Sequence, residues 1–272
     1  MLGKPVAERL LKDGFTVSVL TRDPERATNK LGNGYAIFKG DVMDPESIHS
    51  AMETCDGVHI NLSSSSFREL KEVEYPGTLN VIQAAKQNNL KRITIITGAG
   101  VCKENTWSKM IGIKYKIEKE VLASGIPYTI FAPTHFMDSI PKYIKGDQAM
   151  IIGKQPAKIH WVAAYDYAKI VSRAYQGKES ENKKLWIMGP EAYTMEEAFK
   201  IYCTKKCKNI SVSRIPLTMM YFMAAISFNS KLKYVASLMR YFNKMGEMGD
   251  PSETNELLWK PEITLEKWME TV

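Results

Sequence analysis

The stretch Arg92–Met137 limits what this chain can fold into more than any other. Ile93-Thr94-Ile95-Ile96-Thr97 is apolar and β-branched, and it stops at Gly98-Ala99-Gly100. A helical run follows over Ser108–Ser124, with Gly125 where a helix-ending glycine belongs. A second apolar run, Tyr128–Ala132, ends at Pro133-Thr134-His135-Phe136-Met137. Two short, wholly apolar strands joined by a helix describe a βαβ unit of a parallel sheet. Ligands of such sheets sit beyond the carboxyl ends of the strands. Thr97, Gly98, Thr134, His135 and Phe136 are therefore expected to line one crevice, with Lys114 of the intervening helix near it.

Lys114 stands ten residues before Ser124-Gly125, and "IPYTIFAPTHFM" follows. In this the chain resembles the NmrA-like branch of the atypical short-chain dehydrogenases/reductases, whose relatives include isoflavone-reductase-like enzymes and NADPH:quinone reductases. The resemblance implies a doubly wound α/β fold that binds NADP(H). It also implies that Lys114 lies against the nicotinamide ribose and, in active members, helps move protons. The wider family carries a tyrosine four residues before that lysine. Here the position is Met110, so the usual phenolic proton donor is missing, as it often is in NmrA-like members.

At 272 residues and 44% hydrophobic, the chain can bury one sizeable core. Its 37 Lys and Arg exceed its 30 Asp and Glu, giving +7, and the surplus reads as spread along the whole chain. A solvated lysine-rich surface accounts for this, and an anionic cofactor uses part of it. No zinc-finger spacing, helix-turn-helix or aromatic-plus-basic single-strand motif is visible, so direct nucleic-acid binding is not expected. The cysteines Cys55, Cys102, Cys203 and Cys207 make neither a disulfide framework nor a metal site, and they read as reduced thiols of a cytoplasmic protein. No signal peptide is seen, and the most apolar run, Pro216–Phe228, is too short to span a bilayer; no membrane association is expected.

From the start, Leu2–Gly14 reads as an amphipathic helix with a glycine stop, and Phe15–Leu20 as a strand. A dinucleotide-binding domain ordinarily has a strand and a glycine-rich turn before its first helix. The resemblance places Gly3 on the third glycine of that turn, so strand one and two glycines are expected to be absent. Read alone, Gly3 is a helix-start glycine. After the strand, Thr21-Arg22-Asp23-Pro24 places a cap at Asp23 and an arginine at the strand end. An arginine there pairs with the 2′-phosphate of NADP, where NAD enzymes use an acid. Arg22 also fits an exposed loop. Tyr35–Lys39 leads to Gly40-Asp41-Val42, where the resemblance sets Asp41 and Val42 by the cofactor; Asp41 is equally a turn former. Ser63 opens a serine run at the end of strand Gly57–Leu62. The run serves either as a flexible linker or as donors near ribose or phosphate. Asp166 begins a helix and is expected to cap it.

The expected architecture is a doubly wound parallel sheet, with residues 1–145 forming the dinucleotide-binding core. Residues 146–272 form a smaller α/β region closing over the cleft, interleaved with that core. The expected activity is NADPH-dependent reduction of a small hydrophobic carbonyl, enone or quinone, with Lys114 catalytic. Gly3, Thr21, Arg22, Asp41, Val42, Ser63, Thr97, Lys114, Thr134 and Phe136 are the expected cofactor residues. Trp107, Met110, His135, Tyr143 and Trp161 are the expected substrate wall, with His135 as a reserve proton donor. The alternative is a protein that senses NADP(H) without turnover and acts through a protein partner, with homo-oligomers also possible for either reading. The methionines of Leu217–Phe228 read as plastic core, or else as a lid or partner surface.

Overall fold

Every strand of the main sheet runs parallel, and hydrophobic side chains leave both of its faces. In the computed structural model, which describes residues 1–146, 148–206 and 211–271, the chain alternates helix and strand through its first half. The order is α1 (Gly3–Lys12), β1 (Val17–Thr21), α2 (Pro24–Leu31), β2 (Tyr35–Lys39), α3 (Pro45–Met52), β3 (Gly57–Ile60), α4 (Phe67–Glu69) and α5 (Tyr75–Gln87). A π-helical turn, Leu70–Glu74, joins α4 to α5. The central unit follows as β4 (Arg92–Ile96), α6 (Lys109–Leu122) and β5 (Tyr128–Pro133). The second half contains β6 (His135–Phe136), β7 (Ile144–Lys145), β8 (Gln148–Ile152), β9 (Ile159–Val162), α7 (Ala164–Gln176), β10 (Lys183–Ile187) and β11 (Glu191–Tyr193). It continues through α8 (Met195–Lys206), β12 (Ser211–Ile215), α9 (Leu217–Ile226), α10 (Ser230–Lys244), α11 (Ser252–Leu257) and α12 (Leu265–Thr271).

The strands β10-β5-β4-β3 form one parallel sheet, with Ile95 paired to both Ile60 and Ile130. The strands β1 and β2 pair only with each other, so no described strand bridges β1 and β3. One face is covered by α3, α5 and α6, which bring Ile48, Ile82 and Ile117 against Ile93 and Ile130. The other face receives α1 and α7, with Val6, Tyr167 and Val171 against Phe131 and Ile187. This is the doubly wound arrangement. Removing each such isoleucine from water contributes roughly 2 kcal/mol, which is why strands buried on both faces read as unbroken apolar runs. Two small sheets, β11-β9-β6 and β12-β8-β7, stand beside the main one. Met137, Trp161, Phe199 and Trp268 fill the core between them and the last helix.

Local chemistry fixes the element ends. Asp23 accepts the N–H of Arg26, and Asp44 that of Glu46, each followed by a proline in the first helical turn. Thr194 and Glu197 form a reciprocal capping box at α8. Gly14 and Gly125 lie just past α1 and α6 at φ of 92° and 78°, where a side chain would be strained. The helix α7 departs from expectation. Asp138 accepts the N–H of Ala164 at 2.9 Å and so serves the amino end of the helix. Asp166 instead accepts the N–H groups of Glu262 and Ile263 at 2.9 and 2.8 Å, fastening the carboxyl-terminal segment to the core. Cys207 falls outside the described residues, so its spacing from Cys203 has no structural counterpart here.

Candidate functional site

A cavity of about 430 Å³ opens beyond the carboxyl ends of β3, β4 and β5. Its floor is the strand ends themselves: Ser63 after β3, Thr97–Gly100 after β4, and Thr134, His135 and Phe136 after β5. Met110 and Lys114 enter from α6, and Tyr143 and Trp161 from the second half of the chain. Met1 and Leu2, immediately before α1, complete one wall. The expected crevice is therefore present, and nine of the fifteen residues expected to hold cofactor or substrate meet in it, together with Gly98.

Polar groups in this largely apolar space are held by specific partners. Lys114 donates from Nζ to the carboxylate of Glu74, with side-chain exposures of 17% and 4%. The same carboxylate accepts from Ser64 Oγ at 2.6 Å. Glu74 reaches this position from the π-helical turn, a local irregularity often found at functional sites. Thr97 Oγ1 donates to Glu118 at 2.7 Å, and Lys184 binds the other oxygen of Glu118 at 2.8 Å. Burial pushes the Glu118 carboxyl up, and Lys184 opposes that shift. Thr134 Oγ1 donates to the carbonyl of His160, whose ring and N–H both engage Glu247 at 2.6 Å.

His135 packs between Trp161 and Phe242, with ring centroids 5.3 and 4.4 Å away. Burial lowers its imidazole to about 4, so it is neutral near neutral pH and carries no cationic proton to donate. Tyr143 stacks on Phe199. Burial raises its phenol to about 12. Among the described residues its hydroxyl makes no hydrogen bond, so this neutral O–H on the cavity wall is uncommitted.

Other expected residues lie elsewhere. Thr21, Arg22 and Asp41 stand at the ends of β1 and β2, off the cavity wall, with Arg22 Nε 3.9 Å from Asp41. The Arg22 side chain is 82% exposed. Gly3 is the first residue of α1, whose leading N–H groups have no partner within the helix. Val42 packs on the first core, close above Gly77, and its carbonyl accepts from Asn80 at 3.0 Å. Trp107 is outside the cavity, 43% exposed, tilted onto Tyr241 and capped by the Lys244 ammonium.

One wall was missed entirely. The helix α10 contributes Leu238, Tyr241 and Phe242, and the segment after it contributes Glu247. Tyr234, Leu238, Tyr241 and Met245 recur at helical spacing behind the cap Asn229, a signal that the sequence does contain. The tyrosine hydroxyl of Tyr241 donates to the Gly100 carbonyl at 3.1 Å, closing α10 onto the β4 loop. A side chain at Gly100 would strike that oxygen.

These groups suit one end of a nicotinamide dinucleotide. Hydroxyls and backbone groups at the strand ends match a ribose, the apolar wall matches a nicotinamide and a flat substrate, and Arg22 offers a phosphate partner. For the pyrophosphate, the described residues offer the free N–H groups and positive dipole end of α1.

A family model described as NAD(P)H-binding matches residues 1–171. The chain is 24% identical over 245 residues to photosystem II assembly factor Ycf39 of Synechocystis sp., covering 87% of this chain and 74% of that one. It is 25% identical over 227 residues to sanguinarine reductase of Eschscholzia californica, covering 66% and 81%. Among solved structures, an NADPH-dependent quinone oxidoreductase of Escherichia coli in complex with NADPH superposes with a TM-score of 0.78 at 21% identity, covering 100% of this chain and 96% of that one. A Citrobacter sp. triphenylmethane reductase in complex with NADP(H) gives 0.77 at 16% identity, with the same coverage.

Proposed function

The chain belongs to the NAD(P)H-binding family, and on that premise we propose that it is an NADPH-dependent oxidoreductase acting on a small hydrophobic carbonyl, enone or quinone. The observation that carries this reading is the cavity: an apolar chamber of about 430 Å³ at the strand ends, with Lys114, held from behind by Glu74, and Tyr143 on its wall. When bound, the dinucleotide supplies the hydride. The chain's own residues bind, orient and move protons. Ser63, Thr97 and Thr134 face the ribose, and Arg22 pairs with the 2′-phosphate, which favours NADPH over NADH. Lys114 stabilises negative charge on the substrate oxygen, and Glu74 fixes the direction of its ammonium. Tyr143 donates the proton that the absent tyrosine at Met110 would have given. Trp161, Phe136 and Phe242 exclude water from the apolar part of the substrate. Scattered cysteines suit a reducing compartment such as the cytoplasm.

Sustained NADPH consumption with quinones or enones, abolished by Lys114→Met, is the result this reading expects. No consumption with any quinone, enone or aldehyde, despite tight NADPH binding, would reject it. The second reading is a protein that senses NADP(H) and acts through a partner. It is favoured by Met110 and by the engagement of Lys114 with Glu74, and a relative at 24% identity carries the name of an assembly factor.

A further inference from the structure

The segment Ala198–Gly246 contains nine Lys and Arg and no Asp or Glu. The rest of the chain is therefore slightly acidic, and the +7 surplus, far from being spread, is gathered in these residues. Within the segment, α9 and α10 form a helical hairpin. It is anchored by Met220, Ala236 and Met239 in one small core. The outer side of α9 has no such cover. Met219, Phe222 and Ile226, at spacings of three and four, are 51%, 65% and 63% exposed. At the hairpin tip Phe228 is 93% exposed and sits at φ 49°, in a backbone region that disfavours bulky side chains. Neither packing nor backbone preference accounts for a phenylalanine there.

Basic groups flank this apolar tip. Lys231 and Lys233 lie in and just after the first turn of α10 and Arg240 lies further along it; all three are exposed and make no ion pair among the described residues. No helix of the described residues is long and apolar enough to cross a membrane. A short helix with a projecting apolar side, in a segment that carries basic residues and no acids of its own, instead has the makeup of a segment that lies in a bilayer interface. We propose that the α9–α10 hairpin docks this protein on anionic lipid bilayers, with Phe222, Ile226 and Phe228 entering the acyl boundary and Lys231 and Lys233 meeting the headgroups. This revises the expectation of no membrane association without making the chain a spanning protein. The opposite side of α10 lines the cavity through Leu238, Tyr241 and Phe242. Docking would thus set the cavity beside the bilayer, where apolar substrates of the proposed reaction partition.

Sedimentation of the full chain with phosphatidylcholine vesicles, with and without phosphatidylglycerol, tests this without cofactor or substrate. The expected result is salt-sensitive binding to the anionic vesicles. Phe222→Ser with Phe228→Ser should weaken it by about tenfold or more, and Lys231→Glu with Lys233→Glu by about tenfold. Hydrogen exchange on the unaltered chain should show residues 217–231 protected by the vesicles, a readout that does not depend on any variant folding. Absence of binding, binding unchanged by both variants, or no protection would overturn the proposal. So would self-association that the serine variant abolishes in a chain that ignores vesicles, because a second copy would then cover the face.

Discussion

Lys114, on the cavity wall, forms an ion pair with Glu74 behind it, one from the middle of α6 and the other from the π-helical turn before α5. The pair is mostly removed from water, so each charge depends on the other. Lys114→Met should cost about 3–5 kcal/mol in urea unfolding, because it strands a buried carboxylate. Lys114→Met with Glu74→Leu should recover most of that stability while restoring no turnover. Recovery of turnover in the double variant would place the pair outside the chemistry.

Tyr143 makes a different prediction. Its hydroxyl has no hydrogen-bond partner among the described residues, so Tyr143→Phe should leave stability within about 0.5 kcal/mol. If the phenol donates the proton, kcat should fall by roughly a hundredfold with little change in NADPH affinity. A fall in stability alone, with kcat intact, would return Tyr143 to the role of packing.

Two partly buried histidines predict how stability depends on pH. Burial lowers both His59 and His135 to about 4 from an ordinary 6.5. A group whose folded pKa is depressed in this way binds its proton more readily in the unfolded chain. Stability is therefore full above about 6.5 and falls as pH drops toward about 4, by up to about 3 kcal/mol for each histidine. Glu118 and Asp166, pushed up by burial, act in the opposite sense as they take up protons at the acid end. Urea titrations at about pH 7 and about pH 5 measure the slope. His59→Gln should flatten it by about half.

Asp166 offers a test of how the carboxyl-terminal segment is held. Asp166→Ala removes the acceptor of two backbone N–H groups and should cost about 2 kcal/mol, with faster hydrogen exchange at Glu262 and Ile263. Unchanged exchange there would show that the α12 packing around Trp268 suffices.

Much of this was legible because its signals are local. The β4–α6–β5 unit is written in β-branched runs, a helix and Gly125. The capping pairs at Asp23, Asp44 and Thr194 are likewise read within a few residues. What escaped depends on distant approach. Glu74, at the end of the π-helical turn, meets Lys114 forty residues away in sequence, and nothing near either residue announces it. Asp166 sits where a helix cap would, yet the fold gives that task to Asp138 and turns Asp166 toward residues almost a hundred positions away. The helix α10 carried a readable cap and spacing, but its aromatic stripe packs inward only because α9 covers its other side.

The central claim is that the strand-end cavity receives a nicotinamide dinucleotide phosphate, and calorimetric titration of the chain with NADPH and with NADH tests it most directly. NADPH should bind more tightly than NADH, and Arg22→Ala should weaken NADPH by about tenfold while leaving NADH unchanged. Because Arg22 is so exposed, this variant should not alter folding. Failure to bind either dinucleotide, or equal binding of both that Arg22→Ala does not touch, would contradict the account.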